Sequence, residues 1–308
     1  MYRRLLEVLL ALSFFLPATA QTPDSLSVVF WNVENFFDYR PDGAGESELE
    51  FSATGVRHWT KSRFYTKCAG IAKVLLMIAD HQGRLPDAVG FAELENAFVL
   101  RQLVNSTALR KLDYAVVHYD SPDHRGIDCG LIYRKSTLHL VESCPKHTYD
   151  SAGAVMATRD ILLVRFDSLA VLVNHHPSKV GGKVESRTLA LDRMNFLCDS
   201  LRQAGCPRVL CIGDFNEDLW SLSPSKALRQ AQGPGGTIKY NGTWEKIDGC
   251  FSFGPITVEE EVFCNPVLLE EDRNWGGSKP RRTYSGLRWN GGLSDHLPVI
   301  FRLKWINT

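Results

Sequence analysis

Five short segments place strongly polar side chains against the ends of apolar, β-branched runs. Asn32 and Glu34 follow Ser27-Val-Val-Phe-Trp, Glu93 and Glu95 follow Ala88-Val-Gly-Phe-Ala, and His175 and His176 follow Ala170-Val-Leu-Val-Asn. Asp214 and Asn216 follow Val209-Leu-Cys-Ile-Gly, and Asp295 and His296 precede Leu297-Pro-Val-Ile. Carboxylate and amide oxygens are hard donors that suit Mg²⁺, Mn²⁺ or Ca²⁺, and the absence of a Cys-rich or His-rich cluster argues against structural zinc. Mg²⁺ takes one or two protein carboxylates and completes its shell with water and phosphate oxygens. The inventory therefore points to a phosphoester substrate. Two separated histidines can divide the labour, one donating to a non-bridging oxygen and one activating water, with Asp248 available to orient a histidine. Arg125, Lys179 and Arg187 are candidate phosphate contacts.

Strand tips are where α/β scaffolds gather ligands, because the backbone is fixed while the loops shape a pocket. The runs predict strands over Leu26–Trp31, Ala88–Ala92, Tyr114–His118, Cys129–Tyr133, Ile161–Phe166, Ala170–Asn174, Val209–Ile212, Asp248–Phe253 and Val299–Leu303. Helical periodicity predicts helices over Phe64–Asp80, with Ile71, Val74, Leu75 and Ile78 on one face, over Ala97–Leu103, and over Ser186–Ala204, where Leu189, Arg193, Phe196 and Leu197 recur. A short helix is expected at Ser225–Arg229, followed by a Gly/Pro-rich surface loop at Gln232–Gly236. Adjacent strands with short connections require antiparallel hairpins mixed with parallel units, so an α/β fold with two sheets flanked by helices fits better than an all-parallel barrel.

The 308 residues are 44% hydrophobic and 23% charged, which excludes a disordered chain and allows a sizeable core. Lys plus Arg and Asp plus Glu are both 35, so no overall basic charge attracts nucleic acid, and an anionic substrate must be held locally. Arg3 and Arg4, an apolar stretch from Leu5 to Leu16, and Ala18-Thr19-Ala20 form a secretory leader over residues 1–20, too short and too interrupted by Pro17 to serve as a spanning helix, which needs roughly 20 apolar residues. The expected product is an exported, periplasmic or extracellular single domain over 21–308, with net charge −1 and no stable membrane insertion. Export makes the eight cysteines candidates for one or two disulfides, with Cys129 and Cys211, inside apolar runs, expected as buried thiols.

Taken in order, Phe30-Trp-Asn-Val-Glu-Asn35, Gly90-Phe-Ala-Glu-Leu-Glu-Asn96, Arg125-Gly-Ile-Asp128, Val173-Asn-His-His-Pro-Ser178, Gly213-Asp-Phe-Asn216 and Leu293-Ser-Asp-His-Leu-Pro-Val299 resemble the endonuclease/exonuclease/phosphatase superfamily. That group includes pancreatic deoxyribonuclease, abasic-site endonucleases, neutral sphingomyelinases and inositol polyphosphate 5-phosphatases. The resemblance spans about residues 27 to 303 and implies a four-layer α/β sandwich, with two central mixed sheets and the active site at one edge. It implies Glu93 as principal metal ligand, with Asn32 and Asp295 near the metal and Glu95 a rival. Asp214 and Asn216 would position or activate water, and His175 would bond a phosphate oxygen. His296, oriented by Asp248, would be the general acid/base or the oxyanion stabiliser. The family's more common Gln before the glutamate is replaced by Ala92. Glu34 reads as a supporting carboxylate and His176 as a neighbour outside the chemistry, while Arg281, Arg282 and Tyr284 precede the Asp-His pair and can contact substrate. The implied reaction is Mg²⁺-dependent hydrolysis of a phosphoester, first a nucleic-acid phosphodiester. The alternatives are a monoesterase, a phospholipase C-type esterase or a catalytically silent binding protein. No protein partner is implied.

Overall fold

A computed structural model describes residues 24–40, 45–47, 49–179, 184–222, 228–230 and 235–306. The expected leader lies outside these residues, as do positions 225–227 of the expected short helix and most of the Gly/Pro-rich loop. Two six-stranded mixed sheets carry the chain. The first contains β1 (Ser25–Phe36), β2 (Ala88–Leu94), β3 (Tyr114–His118), β4 (Asp128–Arg134), β13 (Ile256–Val262) and β18 (Val299–Trp305), in the order β13-β18-β1-β2-β4-β3. The second contains β5 (Leu140–Lys146), β6 (Ile161–Phe166), β7 (Ala170–His175), β8 (Val209–Asp214), β9 (Arg229–Gln230) and β12 (Asp248–Phe253), in the order β5-β6-β7-β8-β12-β9. In each sheet one central pair is parallel, β1 with β2 and β7 with β8, and the other neighbours are antiparallel. Three two-stranded ribbons stand apart from both sheets: β10 (Ile238–Tyr240) with β11 (Thr243–Glu245), β14 (Leu269–Glu271) with β15 (Ser278–Pro280), and β16 (Tyr284–Ser285) with β17 (Arg288–Trp289).

The hydrophobic pattern divides the core into three layers. Alternate residues of one strand serve different layers: Val29, Trp31 and Val33 of β1 pack toward helices α1 (Lys61–Gln82) and α2 (Ala97–Asn105), while Leu26, Val28 and Phe30 face the second sheet. Likewise Val171 and Val173 of β7, and Leu210 and Ile212 of β8, meet the first sheet, while Leu172 and Cys211 pack under helix α3 (Val184–Gln203). With helices outside both sheets, this is the expected four-layer sandwich. The α1 residues Ile71, Val74, Leu75 and Ile78 are buried as their spacing predicts. Thr60 caps the N-terminus of α1 through Arg63 N–H, and Gly83 ends it in a left-handed conformation with φ of 72°.

Four expectations need correction. The buried face of α3 is Ala190, Met194, Leu197, Cys198 and Leu201, so Phe196 is exposed and Arg193 instead donates to the His147 carbonyl. Arg229 belongs to the edge strand β9 rather than to a helix. Strands β5 and β13 were not predicted, since Glu142, Pro145 and Glu259-Glu-Glu261 look unlike a strand until they are placed on sheet edges, where charge and proline discourage further pairing. All eight cysteines are free thiols, so the expected one or two disulfides do not form, while Cys129 and Cys211 are buried as their apolar runs predict.

Gly213 of β8 pairs with Asn174 of β7, and a Cβ there would sit 2.4 Å from the Asn174 carbonyl oxygen. Gly213→Ala should therefore push the two parallel strands apart, and its urea midpoint should fall by an equivalent of about 1–3 kcal/mol. An unchanged midpoint would show that the strands tolerate the extra methyl.

Candidate active site

Strand parity delivers the site. Asn32, His175, Asp214 and Asp248 share the inter-sheet parity of Phe30, Val173, Ile212 and Cys250 on their own strands, so each apolar inter-sheet row ends in a polar residue. Glu93 breaks the rule. The β2 register shifts between Ala92 and Leu94, and Glu93 adopts φ of 64°, so a bulge turns its carboxylate into the same cluster. Glu34, Asn35 and Asn216 also take left-handed backbone conformations at strand tips, with φ of 45°, 50° and 50°. Such strain in non-glycine residues gathers at functional sites.

The side chains form one connected network. Asn32 Nδ2 donates to Asp214 Oδ2 at 3.0 Å and to Glu93 Oε1 at 3.4 Å, while its oxygen accepts from Glu34 N–H at 3.0 Å. Asn32 thus bridges two carboxylates with its nitrogen. Glu93 Oε2 accepts from Asn35 N–H at 2.8 Å, and Asp214 Oδ1 accepts from Asn216 N–H at 2.9 Å. The Asn216 side chain donates to the His176 carbonyl at 3.0 Å, which ties the Asp-x-Asn turn to the His-His turn. His296 Nδ1 meets Asp248 Oδ2 at 2.8 Å, and its Nε2 lies 3.8 Å from Asp214 Oδ2 and 3.9 Å from Asp295 Oδ1. Ser294 seats this histidine: its hydroxyl accepts from His296 N–H at 2.9 Å and donates to the Asn32 carbonyl at 2.6 Å. His175 Nε2 lies 3.7 Å from Asp214 Oδ2 and 4.0 Å from Glu93 Oε1.

Electrostatics separates the two histidines. Burial opposes charge on His296, but Asp248 and Asp214 outweigh it and raise its pKa well above the ordinary value, so it is an imidazolium at neutral pH. His175 is pushed well below the ordinary value by burial and by the nearby cations Arg159 and Arg125, so it is neutral. Burial, with Asp248 beside it, pushes Asp214 up to about 7 against the opposing effects of His296 and Asn32. Burial and Glu34 push Asp295 up to about 6. Carboxyls that hold protons this tightly mark an excess of crowded oxygen donors, and this donor set fits a hard divalent cation. Glu93 and Asp295 would hold it, with Asn32 fixing Glu93 and Asp214. Asp214, Asp248 and His296 bring possible ligand atoms within 4.8 Å of one another, and His118, Asp120 and Asp128 form a separate grouping of the same kind.

A cleft of about 590 Å³ opens over the network, lined by Glu93, His175, Asp214, Asn216, Asp295 and His296 at its floor. Arg125 and Lys179, read from the sequence as phosphate contacts, are among its lining residues, Arg125 also pairing with Asp123 at 3.4 Å and Lys179 with Glu245 at 2.7 Å. Two other expected phosphate contacts are not brought to the cleft lining. Arg187 lies outside this lining, with Nε donating to Glu217 at 2.6 Å and Nη1 to the Ser178 carbonyl at 3.1 Å, so it braces a loop. Tyr284 is buried against Phe51, Trp59 and Trp289, and its hydroxyl donates to the Arg57 carbonyl, so it is core. Arg282, also read from the sequence as able to contact substrate, enters the cleft along with Arg125, held by Glu34 at 2.8 Å and Asp295 at 2.9 Å. Its place after Pro280-Arg281 resembles any basic surface loop, and only the fold sets it against Glu34, 248 residues away. Glu95 is turned from the cluster, accepting from Asp38 N–H. His176 packs on Phe215 at 5.1 Å, and burial lowers its pKa to about 3.

Comparison with known proteins adds the following. The model of the "Endonuclease/Exonuclease/phosphatase family" matches residues 27–247. Among solved structures, the human nocturnin catalytic domain with bound sulfate is similar at TM-score 0.57 and 14% identity, over 92% of this chain and 95% of that one. D. rerio TDP2 complexed with single-strand DNA product is similar at 0.55 and 16%, over 92% and 99%. The Bacteroides thetaiotaomicron VPI-5482 mannosyl-6-phosphatase is similar at 0.55 and 16%, over 91% and 100%. At these identities the likeness is one of fold. A search of curated protein sequences finds no match.

The raised pKa of Asp214 has a sign that can be tested. An acid that is easier to protonate folded than unfolded stabilises the fold at low pH and loses that contribution between its unfolded value and about 7. The metal-free Asp214→Asn variant should therefore melt higher than wild type at pH 8, with the difference closing toward pH 4. Identical melting curves at both pH values would mean that Asp214 carries no such burden.

Proposed function

The chain belongs to the endonuclease/exonuclease/phosphatase family, whose members are phosphoesterases, and from that premise we propose that it is an exported, divalent-metal-dependent phosphoesterase acting first on nucleic-acid phosphodiesters. The observation that carries this reading is the meeting, on one cleft floor, of an imidazolium at His296, a neutral imidazole at His175, and Asp214 with its pKa near neutrality. The Arg3–Ala20 leader pattern supports export.

Each group has a task suited to its state. Asp214, ionised just above neutral pH, accepts a proton from the attacking water, for which a pKa near the working pH is the useful one. Asn216, fixed by the His176 carbonyl, orients that water or a phosphate oxygen. His296 Nε2 donates to the phosphate oxygen that gains charge, and Asp248 keeps the ring charged and turned toward the cleft. His175, neutral beside Glu93 and Asp214, donates a hydrogen bond without adding charge. Arg125 and Arg282 supply cations at the cleft wall for the phosphate's remaining oxygens. A divalent ion held by Glu93 and Asp295 would supply Lewis-acid stabilisation of the phosphoryl oxygens. These tasks are shared by diester and monoester hydrolysis, so the catalytic groups leave the ester class open.

A second reading, a monoesterase acting on a small phosphorylated compound, is favoured by the shape of the cleft. Ribbon residues Ile238, Tyr240, Lys279 and Pro280 wall it on one side, which suits a single strand or a compact sugar phosphate better than a rigid duplex.

Purified protein incubated with single-stranded and duplex DNA, RNA, sphingomyelin, inositol phosphates, hexose phosphates and a chromogenic diester should hydrolyse at least one of them with Mg²⁺ and none with EDTA. His296→Ala should lower that rate by about 10²- to 10⁴-fold. Activity indifferent to both EDTA and His296→Ala would sink the mechanism, and inactivity on every substrate would favour a silent binding protein.

A further inference from the structure

The Glu34–Asn35 peptide is gripped from both sides. Its carbonyl accepts from Lys67 Nζ at 2.5 Å, and its N–H donates to Glu93 Oε2 at 2.8 Å. Both residues hold left-handed φ values, 45° and 50°, which side-chain-bearing residues keep only when their surroundings enforce them. Lys67 reaches this peptide from the first half of α1, completely buried, with its ammonium 5.6 Å from the Phe36 ring centre. The same ammonium donates to Thr283 Oγ1 at 2.8 Å, and that hydroxyl donates in turn to the Leu293 carbonyl at 3.2 Å. Thr283 N–H bonds Glu34 Oε2 at 2.7 Å, Glu34 Oε1 bonds Arg282 at 2.8 Å, and Arg282 pairs with Asp295 at 2.9 Å. One buried side chain therefore stands behind both carboxylates that fit a divalent cation, reaching Glu93 through a peptide and Asp295 through Thr283, Glu34 and Arg282.

A buried ammonium is costly unless it is hydrogen-bonded and its charge is balanced. The two oxygens that Lys67 contacts are neutral, and its balance comes from Glu34, Glu93 and Asp295 at longer range, against burial that pulls its pKa down to about 8. A neutral apolar residue would fill the same helix position without that cost, so neither packing nor helix formation accounts for a lysine there.

We infer that Lys67 is a positioning residue for the divalent ion: from α1 it locks the Glu34–Asn35 peptide and the Thr283 hydroxyl, and thereby the aim of Glu93 and of the Arg282–Asp295 pair. This inference rests on the metal-dependent reading above. It also opposes simple electrostatics, in which removing a nearby positive charge would tighten cation binding.

The test is binding of Mn²⁺ alone to the purified full chain, read from the electron paramagnetic resonance signal of free Mn²⁺, for wild type, Lys67→Met and Thr283→Val. Melting temperatures in EDTA are measured in parallel. Loss of a group that orients a ligand weakens metal binding by roughly 10- to 100-fold, the drop expected for Lys67→Met. Thr283→Val, which keeps the backbone bond to Glu34 and removes only the hydroxyl, should weaken it by a smaller factor and should fold even if Lys67→Met does not. Mn²⁺ affinity unchanged or tightened in whichever variants fold, with wild type binding normally, would overturn this inference alone, even if melting temperatures fell. Failure of wild type to bind Mn²⁺ would overturn the metal-dependent reading and this inference with it.

Discussion

Repulsion between buried carboxylates is the constraint that organises this molecule. Asp214 and Asp248 are direct register partners on antiparallel neighbours β8 and β12, so the sheet itself holds two acids side by side in a site of low dielectric. At close range unscreened like charges cost several kcal/mol. The cost is met by parts: His296 takes Asp248 and faces Asp214, Asn32 donates to Asp214 and Glu93, and backbone N–H groups of Asn35 and Asn216 cap one oxygen of each. Glu34 and Asp295 share Arg282. These offsets are all local, which is why a chain with no net charge can still be built to meet an anion.

The sandwich makes this crowding achievable. Each sheet contributes a parallel central pair, β1–β2 in one and β7–β8 in the other, and the two pairs lie against each other across the apolar middle layer. Side-chain alternation then carries Asn32, His175, Asp214 and Asp248 to one edge without any special loop. Glu93 alone is delivered by a bulge. The loops beyond the tips remain free to add a serine beneath His296 and an arginine beside Asp295.

What could be read from the sequence follows from the same division. Residues governed by strand period and by local motif, from Asn32 to the Asp295-His296 pair, were legible because alternation and chain order fix them. The strands with buried faces were legible too, but β5 and β13 were not, since edge strands display the charges that mark loops. The roles of Ser294 and Lys67, and the partners that hold Arg282, were invisible for a different reason. Each acts through a contact more than 30 residues distant, and a lysine among the apolar positions of α1 reads as a surface residue until the helix is seen to turn it inward. Arg187 and Tyr284 erred in the opposite direction: nearness to a motif in sequence suggested substrate, while the fold spent one on a loop and the other on an aromatic cluster.

The ribbons β14–β15 and β16–β17 lie beyond residue 247, where the match to the family ends, and pair with neither large sheet. Strand β15 nonetheless supplies Lys279 and Pro280 to the cleft, and Arg282 follows it in the link to β16. Inheritance in such a molecule is divided. The acids and histidines are bound to strand register, so a change there disturbs folding and chemistry together. The β14–β15 ribbon, by contrast, can change length or charge with little effect on either sheet, although Arg282 and Thr283 just beyond it are tied to Glu34. A change of ribbon length or charge can therefore alter what the cleft admits while the cluster at the strand tips stays as it is.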